Sequence, residues 1–213
     1  MTLSFALGEG VLPSQNTFLY INYNKGVDTM KHSGTKNLET DRLLLRRLSV
    51  ADAEAMYNNW ASDDEVTKYV TWPTHKNVEE TRELLKIWEK EQENLNCYRW
   101  IIEVKDNQKP IGTIDVVEMN DKLRCAEIGY CISSEYWNKG ITTEAAKKVI
   151  EYLFNETDVY RIQAYHILEN PASGKVMQKV GMKYEGIIRA GRIDNKNKFV
   201  DVALYSILKD DLL

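Results

Sequence analysis

The 213-residue chain reads as an α+β domain in the element order βααβββαβαββ: a mixed sheet with helices on both faces. Three observations point there. Residues 126–132 alternate apolar Ala126, Ile128, Tyr130 and Ile132 with Glu127, Gly129 and Cys131, the two-residue period of a strand with one face in a core. From Thr142 the period lengthens to that of a helix, with Ala145/Ala146, Val149/Ile150 and Leu153/Phe154 on one stripe. Further strand-like runs stand in neighbouring pairs, 98–104 with 110–119 and 184–193 with 199–208, around the charged connections 105–109 and 194–198.

In chain order, residues 1–37 are polar and glycine-bearing, with one strand-like run at 17–23. They read as an N-terminal extension of unknown role, and Met30 is an alternative start. Residues 38–46 make a first strand. Ser49 then caps a helix with Asp52 in its first turn, and Ala53, Met56, Tyr57 and Trp60 lie on one stripe. A loop-rich connection over 62–75 leads to a second amphipathic helix over 78–94, with Leu84, Leu85, Ile87 and Trp88 apolar. After the helix that ends near Asn155, residues 160–168 form another strand. Asn170 caps the next helix, Pro171 takes its first position, and Gly181 ends it.

Composition bounds the class. With 43% hydrophobic and 28% charged residues the chain is ordinary globular protein, long enough for a substantial core. A net charge of −4 argues against bulk nucleic-acid binding. Cys97, Cys125 and Cys131 fit no metal spacing and make no even disulfide set, so reduced thiols in a cytoplasmic protein are expected. No apolar run approaches a membrane span, and the start lacks the pattern of a signal peptide.

Between the central strand and its helix lies Trp137-Asn138-Lys139-Gly140-Ile141-Thr142-Thr143. A glycine loop feeding a helix offers free backbone N–H groups and the positive end of the helix dipole, which suits phosphate. It is no nucleotide P-loop, because Lys139 precedes Gly140 and the earlier glycine is missing. The run Glu127-Ile128-Gly129-Tyr130, then Tyr136 through Ala145, resembles the acetyl-CoA segment of the GCN5-related N-acetyltransferases. It is most similar to the RimJ/RimL branch, which acetylates ribosomal-protein N-termini. The family loop is written Q/R-x-x-G-x-G/A. Trp137, Gly140 and Thr142 stand at its first, fourth and sixth places, so Thr142 departs from it, and Asn138 stands where the branch often has glycine. Residues 170–182 resemble the second cofactor-side segment, and the resemblance covers 38–213.

That resemblance implies a mostly antiparallel sheet of six to seven strands with a splayed central strand pair. It implies acetyl-CoA as co-substrate and no metal. Cys131 and Ile132 would hold the pantetheine arm by their backbone, Trp137 would belong to the cofactor loop, and Asn138, Lys139, Gly140, Ile141, Thr142 and Thr143 would take the pyrophosphate. Asn170 would bind the pantetheine amide. Trp60, Trp72 and His75 would line the acceptor groove; the alternative places the tryptophans in the core and His75 on the surface. Glu127, on one strand face with Gly129 and Cys131, is the candidate base, or else a structural glutamate. The tyrosine that many members carry seven residues after the asparagine is Met177 here; Ser173, on the inner stripe, is the candidate to serve the leaving thiolate in its place, or else a cap or a cofactor contact. His166 reads as a buried structural histidine.

An acceptor α-amine has a reference pKa of ~7.7–8.0, against ~10.4 for a lysine side chain, so it asks less of a base. A site with one carboxylate and no tyrosine acid therefore leans toward protein N-terminal α-amines. A small-amine (polyamine or aminoglycoside) acceptor and a non-catalytic acyl-CoA-binding module are the alternatives. The expected partners are acetyl-CoA and the amine, with no nucleic acid and no membrane, and a homodimer stays open.

Overall fold

A computed structural model describes residues 30–212. The strand-like run at 17–23 and the bulk of the expected N-terminal extension lie outside the described residues. What is described before residue 38 is packed rather than appended. Met30 is buried in the main core, Tyr152 donates to Gly34 O at 2.6 Å, and Trp100 Nε1 donates to Lys36 O at 2.7 Å. The described packing therefore takes in residues 30–37, ahead of Leu38.

The expected first strand is two. β1 (Leu38–Glu39) and β2 (Leu43–Arg46) pair antiparallel around a tight turn in which Thr40 N and Oγ1 both face Leu43 O. That turn explains why 38–46 alternates less cleanly than the later strands, and why the sheet has eight strands rather than six or seven. Helix α1 (Ala53–Met56) is flanked by a 3₁₀ turn (Val50–Asp52) and a π turn (Tyr57–Ala61). A short α2 (Asp64–Thr67) interrupts the connection expected to be loop, and α3 spans Val78–Glu91. Arg46 holds the entry to α1 through Asp52 (2.7 Å) and Glu103 (2.7 Å).

Strands β3 (Arg99–Val104), β4 (Lys109–Asn120) and β5 (Cys125–Ile132) follow as an antiparallel meander. Then come α4 (Ile141–Glu156), β6 (Arg161–Ile167), α5 (Pro171–Lys179), β7 (Lys183–Ile193) and β8 (Phe199–Leu208). The sheet order is β1-β2-β3-β4-β5-β6-β8-β7, antiparallel except between β5 and β6. One face packs on α4 and α5 around Trp100, Ile114, Ile128, Leu153, Phe154 and Ile162. The other carries a smaller cluster in which Leu48, Met56, Trp60, Leu85 and Ile101 sit beneath α1–α3.

Candidate active site

The site is built where the sheet stops being continuous. β5 and β6 pair in parallel only over Cys125↔Arg161, Ala126↔Ile162 and Glu127↔Gln163, and beyond that they separate. Backbone groups on the two facing edges from Ile128 and from Ala164 onward lose their sheet partners, and such groups need another partner. The wedge therefore offers a row of donors and acceptors to an extended, amide-bearing chain such as pantetheine. Cys131 and Ile132 lie on its β5 edge.

The mouth of the wedge is the loop before α4. Gly140 is its N-cap at φ 75°, and Asn138 sits at φ 59°. Both are left-handed, a region that Gly and Asn enter most readily, so asparagine where the branch often has glycine leaves the loop's shape intact. Gly140 has no side chain to cap α4. The N–H groups of Ile141, Thr142 and Thr143 thus remain open at the positive end of a 16-residue helix. Trp137 is tethered by Nε1 to Ile132 O (3.0 Å) with part of its ring in solvent. Lys139 rests over Tyr136 at 5.1 Å. The loop is braced from the β1–β2 turn: Arg42 donates to Lys139 O (3.0 Å) and pairs with Glu144 (2.6 Å), which also accepts from Thr40 (2.5 Å). Burial raises the Glu144 pKa, but the hydrogen bonds from Thr40 and Arg42 outweigh it and hold the carboxyl below its usual range.

Across the wedge, Asn170 caps α5 by accepting from Ser173 N at 3.4 Å, which leaves its amide NH₂ to donate. Ser173 Oγ meets the Tyr130 hydroxyl at 2.9 Å, and that hydroxyl also donates to Ser173 O at 3.0 Å. Burial pushes Tyr130 up to about 12, offset in part by Ser173, so the phenol keeps its proton at neutral pH. Met177, where many relatives carry tyrosine, is buried in the core. His166 lies over Gly174, with Nε2 2.6 Å from where a Cβ would stand, and is only partly buried.

On the opposite face of β5 stand Glu127, Gly129 and Cys131, paired across to Glu118, Asp115 and Thr113 of β4. Both oxygens of Glu127 are held by Arg192 (2.6 and 2.7 Å), whose guanidinium stacks on Tyr165 at 4.1 Å. Of the residues expected to line the groove, Trp60 is corrected: it is wholly buried in the cluster beneath α1–α3, with Nε1 unpartnered. Trp72 is half-buried and lies 5.3 Å from His75, ring to ring. His75 bonds Thr81 (2.7 Å), and burial lowers its pKa despite Glu80 nearby. The β7–β8 turn reaches this wall, where Asn195 Nδ2 donates to Thr67 O at 2.8 Å. Sequence reasoning missed Asp115 and Arg192: one is a lone acid in an apolar strand, and the other sits in a hairpin whose curl no local pattern reports.

All three cysteines are free, and burial raises each thiol, Cys131 to about 12. Among the described residues no helix is long and apolar enough to cross a membrane, and no cluster of His, Cys, Asp or Glu could hold a metal.

Comparison with known proteins agrees with this geometry. Residues 42–183 match the family model described as "Acetyltransferase (GNAT) domain". The uncharacterized N-acetyltransferase YoaA of Bacillus subtilis is 36% identical over 81% of this chain and 96% of its own length. The spermidine N(1)-acetyltransferase of Escherichia coli is 32% identical, over 49% of this chain and 55% of its own. The structure of RimL, a ribosomal L7/L12 α-N-protein acetyltransferase in complex with coenzyme A, superposes with a TM-score of 0.74. At 17% identity, over 83% of this chain and 99% of that one, it shares the fold. With the family model spanning residues 42–183 and a relative 36% identical over 81% of the chain, the chain belongs to the GNAT acetyltransferases and is an acetyl-CoA-dependent N-acyltransferase.

Proposed function

We propose that the acceptor is a protein N-terminal α-amine, acetylated directly from acetyl-CoA while both substrates are bound. The observation that carries this is the state of the acids around the acceptor wall. Asp63 caps α2 and accepts from Ser134 (2.9 Å), and Asp64 accepts from Thr74 (2.6 Å). Glu80 accepts from Lys76 N (2.8 Å), and Glu79 pairs with Arg82 (3.3 Å). These bonds leave the charges in place but fix the carboxylate oxygens toward the chain's own donors, so fewer of them can turn to the several ammonium groups of a polyamine. A single α-amine needs only one proton acceptor and a backbone to lie along.

In this proposal the α4 N-terminus and the 138–143 loop hold the pyrophosphate, with Trp137 bracing the loop. The edges of the wedge at Cys131 and Ile132 hold pantetheine, and Asn170 donates to its amide. The Ser173–Tyr130 hydroxyl pair hydrogen-bonds the departing thiolate. Trp72 and His75 border the acceptor, with Trp60 supporting them from below. A small amine is the second reading, favoured by the likeness to the spermidine enzyme. Acetyl-CoA with an Ala- or Ser-initiated peptide is expected to release free CoA, measured by thiol titration, and spermidine to compete poorly. Faster release with spermidine than with any peptide reverses the order. Tight CoA binding without release for either acceptor leaves the non-catalytic module.

A further inference from the structure

We propose that Asp115, on the strand beside the cofactor strand, is the catalytic residue that takes the acceptor amine's proton. Cross-strand pairing sets Arg99, Asp115 and Gly129 in one row on the acceptor face of the sheet. Directly paired neighbours stand roughly 4.5–5.5 Å apart, so Asp115 is one strand from the opening of the wedge. Gly129 makes that step passable. A Cβ there would meet Val117 Cγ1 at 3.1 Å, so the place beside Gly129 is too tight for a β5 side chain, and none stands between the carboxylate and the edge of the wedge.

The carboxyl is strained electrically. Its side chain keeps 16% of its surface in solvent, while Oδ1 is sealed and has no hydrogen-bond donor. Arg99 Nε is 3.4 Å away but makes no hydrogen bond to it. That guanidinium is drawn off by Glu91 (3.0 Å) and stacks on Trp88 at 4.2 Å. Burial pushes Asp115 up to about 7, with Arg99 only partly offsetting it. A base of that strength is matched to an α-amine near neutral pH. The other charged or titratable groups around it are Cys131 and Cys97, whose thiols its charge raises, Asp63 beside Cys131, and the Glu127–Arg192 pair along the same face. Glu127 is the poorer base, because both of its oxygens already accept from Arg192.

The step balances simply, and it rests on the direct transfer proposed above. The ammonium gives one proton to Asp115. The freed lone pair bonds the thioester carbonyl carbon, and collapse breaks C–S to leave a thiolate. One net proton passes from nitrogen to sulfur, and Asp115 returns its own to solvent.

The test is the pH dependence of kcat at saturating acetyl-CoA, with whichever of the Ala-initiated peptide or spermidine the wild type acetylates. Wild type is expected to show an acidic limb near pH 7. Asp115→Asn should lose about 10²–10⁴-fold at neutral pH and recover as the amine ionises unaided, with the Kd of CoA unchanged by calorimetry. Arg99→Met should move the limb to higher pH, because the cation that lowers Asp115 is gone. Glu127→Gln should lower kcat while keeping the limb. Folding of Asp115→Asn is checked by its Tm. From about pH 4 to 7 the native state of the wild type holds a proton that the unfolded chain has lost, so stability falls as pH rises, and the variant should lack that fall. A folded Asp115→Asn with near-normal kcat, or a limb abolished by Glu127→Gln instead, overturns the proposal and leaves acetyl transfer standing. Absence of CoA release by the wild type with both acceptors sinks the transfer reading and this proposal together.

Discussion

Asn170 shows how much one side chain can carry. Its oxygen caps α5 while its NH₂ is left for the cofactor contact proposed above, so truncation would remove two interactions of different kinds. Loss of the cap should lower stability by about 0.5–2 kcal/mol. Loss of a donor to the cofactor should raise the KM for acetyl-CoA with little change in kcat, because the bond is made in ground and transition states alike. Steady-state kinetics of Asn170→Ala beside its Tm separate the two; an equal fall in kcat would place the amide at the reacting carbonyl instead. Some residues could be read from sequence and some could not. Gly140 and Asn170 announce themselves, since a left-handed turn and a cap are local demands. Asp115 does not: the role proposed for it comes from burial and from an arginine that stands 3.4 Å away without hydrogen-bonding it. Trp60 misled for the same reason, because periodicity puts it on the inner stripe without saying whether a core or a groove lies beneath.

At the scale of elements, the glycine loop before α4 is braced by a hairpin about a hundred residues upstream. Arg42 and Thr40 grip Glu144 and the Lys139 carbonyl, which fixes the direction in which the first turn of α4 points its N–H groups. The Arg42 side chain is half in solvent, so the pair contributes little stability. Arg42→Ala should leave Tm nearly unchanged and weaken CoA binding by up to about fivefold, the range of an exposed ion pair. Calorimetry decides, and an unchanged Kd would mean the loop holds itself. The hairpin is what the sequence hid, since 38–46 carries enough apolar residues to read as one strand. The strands of 98–132 and the helix after Gly140 were legible because their periods are sustained. The short α2 was not, because four residues cannot show a period.

Across the whole molecule, β5 and β6 are the seam between an N-terminal five-stranded half and a C-terminal three-stranded half, joined through three residue pairs and spanned by α4. The seam could be foreseen only through family likeness, since strand divergence leaves no mark in composition. The Glu127–Arg192 pair crosses it from β5 to β7 on the acceptor face, and the Tyr130–Ser173 pair crosses it from β5 to α5.

So short a seam leaves the substrate two open strand edges to bridge. Strand edges that separate after three pairs leave amide protons at 128–132 and 164–167 that no neighbouring strand on the seam side shields from exchange with deuterium. Acetyl-CoA in the wedge would act as a ninth strand, adding a link along the sheet between halves that the shared core already joins. Hydrogen–deuterium exchange followed by mass spectrometry should therefore show slowed exchange on both edges at once when acetyl-CoA is added, with residues remote from the wedge, such as β1, little affected. Protection confined to the 138–143 loop would mean that the cofactor docks by its phosphates alone and the halves move independently of it.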